Sequence, residues 1–531
     1  MTLNRKIFFY LLLLLAVSLP LSIFATSVIQ FLLGINWLVE GRFRDKWKRL
    51  TGDKAFLIYA VFYLVHIISM LWSADTEYGI RDLKIKLPLL LIPFIIVTSE
   101  ELIHQEVRDI LNAFIGATII ASFASILALV NILPVEISDF RDASLFIGHI
   151  RFSLMVVLSI LFAAYFLFSR NYTIPKKYRY FYLFTLLWLP VFLIILRSLS
   201  GMIILLFMLL FLSFGVVRTV KDQVIRFMLT VVIILVPLFS IIYIGSAINR
   251  FYTWDPLVPG ELDSQTINGN KYLNYIENKE TENGHYVWIY VCPLELEREW
   301  NRISDIDYMG QTENGDYLRF TLIRYLTSLG YRKDSVGVHK LTGQDIEAIE
   351  SGIANHIYLN RFDLYPRIYQ VIWEFDRFKL GHSPNDKSII QRYCYLQAGF
   401  SIAADNLLYG VGNGDVRRAF GDYYEKTNSP LRTERRRRAH NQFLTLAISF
   451  GIPGMLICLT ALLFPVFRRK KWGSFMTVVF LLTMAMSMLD EDTLENTPGV
   501  VMFGLFYGIF IFGPSWKWKT KQRMLGSDTN E

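Results

Sequence analysis

Charge is scarce in this 531-residue chain: 19% of its residues are charged and 53% are hydrophobic, whereas a soluble domain carries roughly 25% charge. The apolar residues gather in blocks of about 15 to 20, which excludes a string of soluble domains and reads as helices that span a bilayer. A removable leader is excluded too, because the first block, Ile7 to Val39, has no small-residue cleavage site followed by a soluble chain. Cysteine is nearly absent. Of the three, Cys458 falls in a span, while Cys292 and Cys394 lie in one long polar loop. A disulfide between these two would require an extracytoplasmic loop, and loop cysteines 102 positions apart are more often unpaired. No internal repeat is evident and the long loop is off-centre, which disfavours a transporter of two equal halves. The net charge is +8, but Lys and Arg sit in short loops rather than on one soluble face, which argues against a nucleic-acid partner.

What remains is the pattern of an all-α polytopic membrane protein with about twelve transmembrane helices. Pro20 divides the first block in two, and apolar segments follow at about 55–72, 87–98, 110–130, 149–169, 181–196, 201–217, 227–244, 442–467, 474–489 and 498–513. The segment 87–98 is short and contains Pro88 and Pro93, so it reads as re-entrant or tilted as readily as a full span. Positive charge in short loops is retained in the cytoplasm. The basic loops 42–49, 170–179, 218–226 and 468–471 and the tail 517–523 all fall on one side of a twelve-span chain, together with both termini. The opposite loops, 73–82, 131–148 and 490–497, are poor in Lys and Arg. The expected domains are an N-terminal bundle of about nine spans over 1–244, a large outer loop over 245–439 between spans 9 and 10, about three closing spans over 440–513, and a cytoplasmic tail over 514–531. The loop mixes aromatics with charge and should fold. Its stretches CPLELEREWNRIS, DYLRFTLIRYLTSLG, QDIEAIESGIANHIYL and YPRIYQVIWEFDRFK have the period of amphipathic helices, so the loop should be mainly helical.

Where the loop returns to the membrane, RTERRRRAHNQFLTLAISFGIPG places His440 after five arginines and before an apolar helix. An imidazole there can exchange protons with water at the membrane surface; its plainer role is a hydrogen bond to the helix end. The stretch HNQFLTLAISFGIPG resembles the His-Asn-x-x-Leu, then Gly-x-x-Gly, signature of the O-antigen ligase and polymerase superfamily. From Ser388, SIIQRYCYLQAGFSIAADNLLYGVGNGD is similar to that family's arginine, short helix and Gly-Val-Gly turn, and LIILRSLSG at 193–201 resembles, imperfectly, its Ser-Arg-Gly start of a span. RYLTSLGYRKD, HIRFSL at 149–154 and LDEDTLENTPG at 489–499 resemble a branch of the family found in Bacteroidetes-type bacteria.

The resemblance implies a GT-C-like bundle in the bacterial inner membrane with its site facing the periplasm, working in lipopolysaccharide or other surface-polysaccharide biosynthesis. It would transfer a glycan from an undecaprenyl diphosphate-linked oligosaccharide to a hydroxyl acceptor such as lipid A-core, without cofactor or metal and amid membrane lipids. His440 is then the general base, and Arg392, which matches the family's loop arginine, stabilises the departing diphosphate. Arg197 is a weaker match, one helical turn from the family's placement. Arg151 is a third cation or an interfacial snorkelling residue. Asn441, Arg438 and Gly412 complete the expected substrate contacts, although a charge run is by default a solvated face, and GVGNGD, which follows no strand, reads as backbone shaping. The acidic cluster Asp490, Glu491, Asp492 and Glu495 reads as an outer loop, a glycan contact or a divalent-metal set, and His66 as a satisfied core residue. Two alternatives stay open. A repeat-unit polymerase shares the signature, and a flippase of lipid-linked sugars belongs to another class, which usually carries ionisable groups in its spans and no folded 195-residue loop.

Overall fold

The computed structural model describes residues 2–135, 143–168, 175–218, 220–256, 258–360, 363–385 and 387–514, which are mostly helical. Most of the predicted tail and parts of the loops 131–148 and 170–179 lie outside the described residues. The first helices are α1 (Leu3–Leu21), α2 (Ile23–Val39), α3 (Phe43–Gly52), α4 (Lys54–Ile68), α5 (Thr76–Thr98), α6 (His104–Leu129), α7 (His149–Phe168), α8 (Lys176–Ile195), α9 (Leu199–Val217) and α10 (Gln223–Phe251). There follow α11 (Pro293–Ile303), α12 (Leu318–Ser328), α13 (Ser335–His339), α14 (Gly343–Glu350), α15 (Tyr365–Lys379), α16 (Ser388–Asp405), α17 (Val416–Lys426), α18 (Gln442–Arg468), α19 (Phe475–Asp490) and α20 (Thr497–Tyr507). The chain forms two compact units, residues 1–219 with 391–531, and residues 220–390. These limits differ from the expected boundaries at 245 and 440: the stretch from 391 packs with the first unit, and α10 with the second.

Each of the twelve predicted apolar segments is helical, but among the described residues eight helices qualify as spans by length and composition, or nine if α2 and α3, bent by 110°, are taken as one. The count falls short of twelve because α19 and α20 are short, and α5 carries Glu77, Arg81, Asp82, Lys84 and Lys86 in its first half. The first block divides at Ser22, two residues after Pro20, where the backbone is extended and the hydroxyl caps α2 by accepting from Ala25 N at 3.1 Å. The segment 87–98 is the second half of α5, helical through both prolines.

In the first unit α20 is buried along its whole apolar length, and it packs against α5 through Gly504 and Gly508. A Cβ on Gly504 would stand 2.8 Å from Pro88 O, and one on Gly508 2.6 Å from Ile96 Cδ1; small residues four apart let two helices approach closely. Tyr507 stacks on Tyr59 of α4 with ring centres 4.6 Å apart, and its hydroxyl donates to Leu462 O at 2.6 Å. His66 is a buried core histidine, with Nδ1 2.8 Å from Phe62 O.

Helix α18 is broken at Gly451, whose φ of 68° and ψ of 177° interrupt the ladder. The Gly-Val-Gly turn fills the break. Val411 N donates to Ile448 O at 2.8 Å and Gly412 N to Ser449 O at 3.0 Å, while Ile452 N donates to Leu407 O at 2.7 Å. A helix can break in a membrane only where neighbours satisfy the freed groups in this way.

The second unit has its own core around Trp300, Leu322 and Tyr325, and all four predicted amphipathic stretches are helical, as α11, α12, α14 and α15. A short hairpin pairs Thr281–Glu282 with His285–Tyr286. Its turn is Asn283–Gly284, with φ of 51° and 91°, the left-handed pair that two-residue hairpins prefer. All three cysteines are free and buried, so the Cys292–Cys394 bridge is not formed.

Candidate functional site

His440 precedes the cap of α18 and holds a left-handed backbone, φ 50°, a conformation that is costly outside glycine and persists where surrounding structure enforces it. Here Asn441 enforces it. Its side chain caps α18 by accepting from Leu444 N at 2.9 Å, and its amide donates to Leu489 O at 3.0 Å, tying the start of α18 to the end of α19.

This junction turns His440 toward Glu491. Nδ1 lies 3.3 Å from Glu491 Oε2, and the ring is half-buried against Tyr395. The same carboxylate takes Arg151 Nη2 at 3.4 Å and Arg392 Nη2 at 3.2 Å. Arg392 also pairs with Asp490 through its other terminal nitrogen, and Asp490 accepts the Ser200 hydroxyl. Gly201 makes that contact available: a Cβ on it would meet Ser153 Cβ at 2.8 Å, so only glycine lets α9 come this close to α7.

Burial by itself would raise the Glu491 carboxyl, but the hydrogen bond and charge of His440, followed by Arg151 and Arg392, hold it below the usual carboxylate range. An ionised carboxylate only accepts, so Nδ1 of His440 is the donor, and Nε2 offers a lone pair whenever the ring is neutral. The arrangement is an imidazole oriented by a carboxylate, with two guanidinium groups beside it.

A deeper layer fixes the 490–496 loop. Glu495 is buried and receives Lys86 Nζ at 2.8 Å, Arg438 Nη1 at 3.1 Å and Gln442 Nε2 at 2.9 Å. Lys86 also bridges to Asp82 at 2.5 Å. Burial opposes the charge on Glu495, yet Lys86 and Arg438 outweigh it and keep the carboxyl strongly depressed. Asp492 goes the other way: burial raises it more than Arg438 lowers it, and it accepts from Thr445 Oγ1 at 2.7 Å. Among the described residues no group of His, Cys, Asp and Glu side chains is placed to hold a metal ion; the acidic cluster faces cations instead.

Of the residues singled out in the sequence, His440, Arg392 and Arg151 thus meet at one carboxylate. Arg438 and Asn441 stand behind them, one in the buried charge network and one in the helix cap. Arg197 is exposed in the break between α8 and α9, with φ 52°, three residues before Ser200. Gly412 packs elsewhere: its φ is 88° and a Cβ would stand 2.4 Å from Ser73 Oγ, so the geometry gives it a backbone role. The sequence singles out Glu491 only within the acidic cluster, with no link to His440, and does not single out Ser200, Asp82 and Lys86 as site residues. The available signals were the acidic run at the end of an apolar segment and the Asp82, Lys86 pair four apart in a helix otherwise apolar toward its end. A cavity of about 690 Å³ between Arg49, Asp53 and Arg469 lies at the opposite end of α18, away from this chemistry.

Fold and site together define a multi-pass helical membrane protein with a polar cluster where several helix ends meet. Residues 351–459 match the O-antigen ligase family, which supports the O-antigen ligase superfamily as the kin of this chain. The matched stretch contains Arg392, Gly412, Arg438, His440 and Asn441, whereas Arg151, Arg197 and Glu491 lie outside it. No curated protein matches the chain.

Proposed function

We propose that the chain is a membrane glycosyltransferase of the O-antigen ligase type, transferring a glycan from an undecaprenyl diphosphate-linked donor to a hydroxyl acceptor at the periplasmic face of the inner membrane. The observation that carries this reading is the meeting of His440, Arg392 and Arg151 at Glu491. The acceptor oxygen attacks the anomeric carbon and loses its proton to Nε2 of His440. The bond from that carbon to the diphosphate breaks, and the lipid diphosphate leaves with the electron pair. Glu491 stabilises the imidazolium that forms, and a base so positioned contributes about 10²- to 10⁴-fold. Arg392 and Arg151 exchange their carboxylate contacts for phosphate oxygens as charge builds on the leaving group.

In this reading twelve segments cross the membrane, short ones included, with both termini cytoplasmic and residues 245–439 outside. A repeat-unit polymerase would use the same groups with a second lipid-linked glycan as acceptor. The argument against a flippase from a lack of ionisable groups in the spans does not stand, since Arg5–Glu106 and Asp82–Lys86 are buried ion pairs within helices. Both pairs are closed by hydrogen bonds, and Lys86 of the second also ties Glu495 of the 490–496 loop in place, which suits a rigid site better than a moving relay.

The test is transfer by the purified protein from an undecaprenyl diphosphate oligosaccharide to lipid A-core or another hydroxyl glycan. His440→Ala and Arg392→Ala should abolish it. Wild-type rates in both variants would refute the catalytic assignment, and movement of labelled lipid across vesicles without carrier release would favour the flippase.

A further inference from the structure

The second unit contains a cavity of about 360 Å³, within the size range of ligand sites and built from segments outside the family match. Its floor is Lys333. The segment 331–333 runs beside 290–292, with Lys333 N donating to Tyr290 O at 3.0 Å and Cys292 N to Lys333 O at 2.8 Å. This fixes a lysine that is 3% exposed, and its ammonium donates to Tyr286 O at 3.1 Å. Among the described residues no carboxylate stands within ion-pair distance of that ammonium; Asp334, next in sequence, is taken up by Tyr272 and Gly337 N. Burial pushes the Lys333 ammonium down to about 7, against a smaller upward pull from Asp334. A buried cation without a counter-ion is costly.

The walls carry two kinds of group. On one side the hairpin turn at Asn283–Gly284 sets His285 Nδ1 2.5 Å from Asp255 Oδ2, with Asp255 N held by Gly284 O at 2.9 Å. Gly330, φ 71°, lies under the imidazole, where a Cβ would come within 3.0 Å of Nε2. Tyr290, also in the lining, is held in a left-handed backbone, φ 54°, and carries the Arg332 guanidinium 4.3 Å from its ring centre, with one terminal nitrogen of Arg332 paired to Asp263 at 2.5 Å. Such strain in a bulky residue is characteristic of binding sites. Tyr331 and Glu261 also line it, together with the apolar Val258, Leu262 and Ile289.

A simple anion fits this lining poorly, because Asp255 and Glu261 would repel it. A neutral sugar leaves Lys333 unpaired. A pyranose with one negative group satisfies both: its hydroxyls donate to the carboxylates, its C–H faces pack on tyrosine rings, and its charge meets Lys333 and Arg332. We propose that this cavity binds an acidic sugar residue, a hexuronate or a unit of like charge, within a glycan. The inference rests on the glycosyltransferase reading, since it makes the second unit a holder of the glycan chain.

The test uses the full-length protein in detergent and calorimetric titration with a hyaluronan tetrasaccharide, chitotetraose as its neutral counterpart, and inorganic phosphate. The acidic tetrasaccharide should bind at least about tenfold more tightly than the other two. Lys333→Met, close in shape and free of the buried charge, should weaken it by at least about tenfold while the unfolding midpoint holds, and Arg332→Gln at the rim should also weaken it. His440→Ala should leave the affinity unchanged. Equal binding of chitotetraose or of phosphate, or indifference to Lys333→Met, overturns the proposal. Failure of transfer with every donor while this binding persists would refute the enzymatic reading and leave the cavity's ligand standing.

Discussion

Replacing Glu491 by Gln separates charge from shape at the centre of the site. The amide keeps the volume and one acceptor oxygen for the arginines, but removes the negative charge 3.3 Å from His440 Nδ1. Two unit charges at that separation interact by about 5 kcal/mol at an effective dielectric constant of about 20. Arg151 and Arg392 draw on the same carboxylate, so roughly half of this reaches the imidazolium, about 2 to 3 kcal/mol or about 10²-fold in rate. Single-turnover transfer from a lipid diphosphate oligosaccharide reads the effect directly, because it isolates proton transfer and bond cleavage from product release. Glu491→Asp, which retains the charge, should recover part of the loss. A Glu491→Gln enzyme within about threefold of wild type would show that the carboxylate does not support the base.

Lys86→Met leaves Asp82 and Glu495 buried without their shared cation and should cost about 3 to 5 kcal/mol, seen as a fall in the thermal unfolding midpoint; an unchanged midpoint would show that the network does not hold the loop. Gly412→Ala forces a Cβ into 2.4 Å of Ser73 Oγ at a left-handed φ and should cost about 1 to 3 kcal/mol in stability with an unaltered KM, whereas a raised KM at constant midpoint would restore it as a substrate contact. Glu491 and Glu495 both have depressed folded carboxyls, so the stability they confer is complete above the ordinary carboxyl value of about 4.3 and is lost as pH falls toward their folded values. Their contribution should therefore be level from about pH 7 to 5 and fall below about pH 4, so the midpoint of a Glu491→Gln, Glu495→Gln double variant should drop less steeply there than that of wild type.

Much of the architecture is local and so was legible in the residues. Apolar blocks become helices wherever they occur, since a backbone in lipid has few other ways to close its hydrogen bonds. The break after Pro20, the amphipathic helices of the loop and the Asn441 cap follow from periodicity and cap chemistry. The number of crossings was less legible, because short helices such as α19 and α20 sit at the margin of the length that a bilayer demands. The motif around His440 marks a junction, and Arg392 lies on a helix that meets His440 at the same carboxylate.

What the residues alone determined about this protein is therefore a helical membrane chain with a histidine at a loop-to-helix junction. Only the tertiary structure decided what that imidazole faces. Glu491 is 51 positions from His440, Arg151 is 340 positions from Glu491, and no local spacing records which helix ends will meet. It also decided that the Gly-Val-Gly turn mends a broken helix, and that the acidic run after α19 sets a carboxylate against an imidazole. These outcomes depend on buried charges finding partners, a condition satisfied by whatever packing brings together, and so they are set by the fold as a whole.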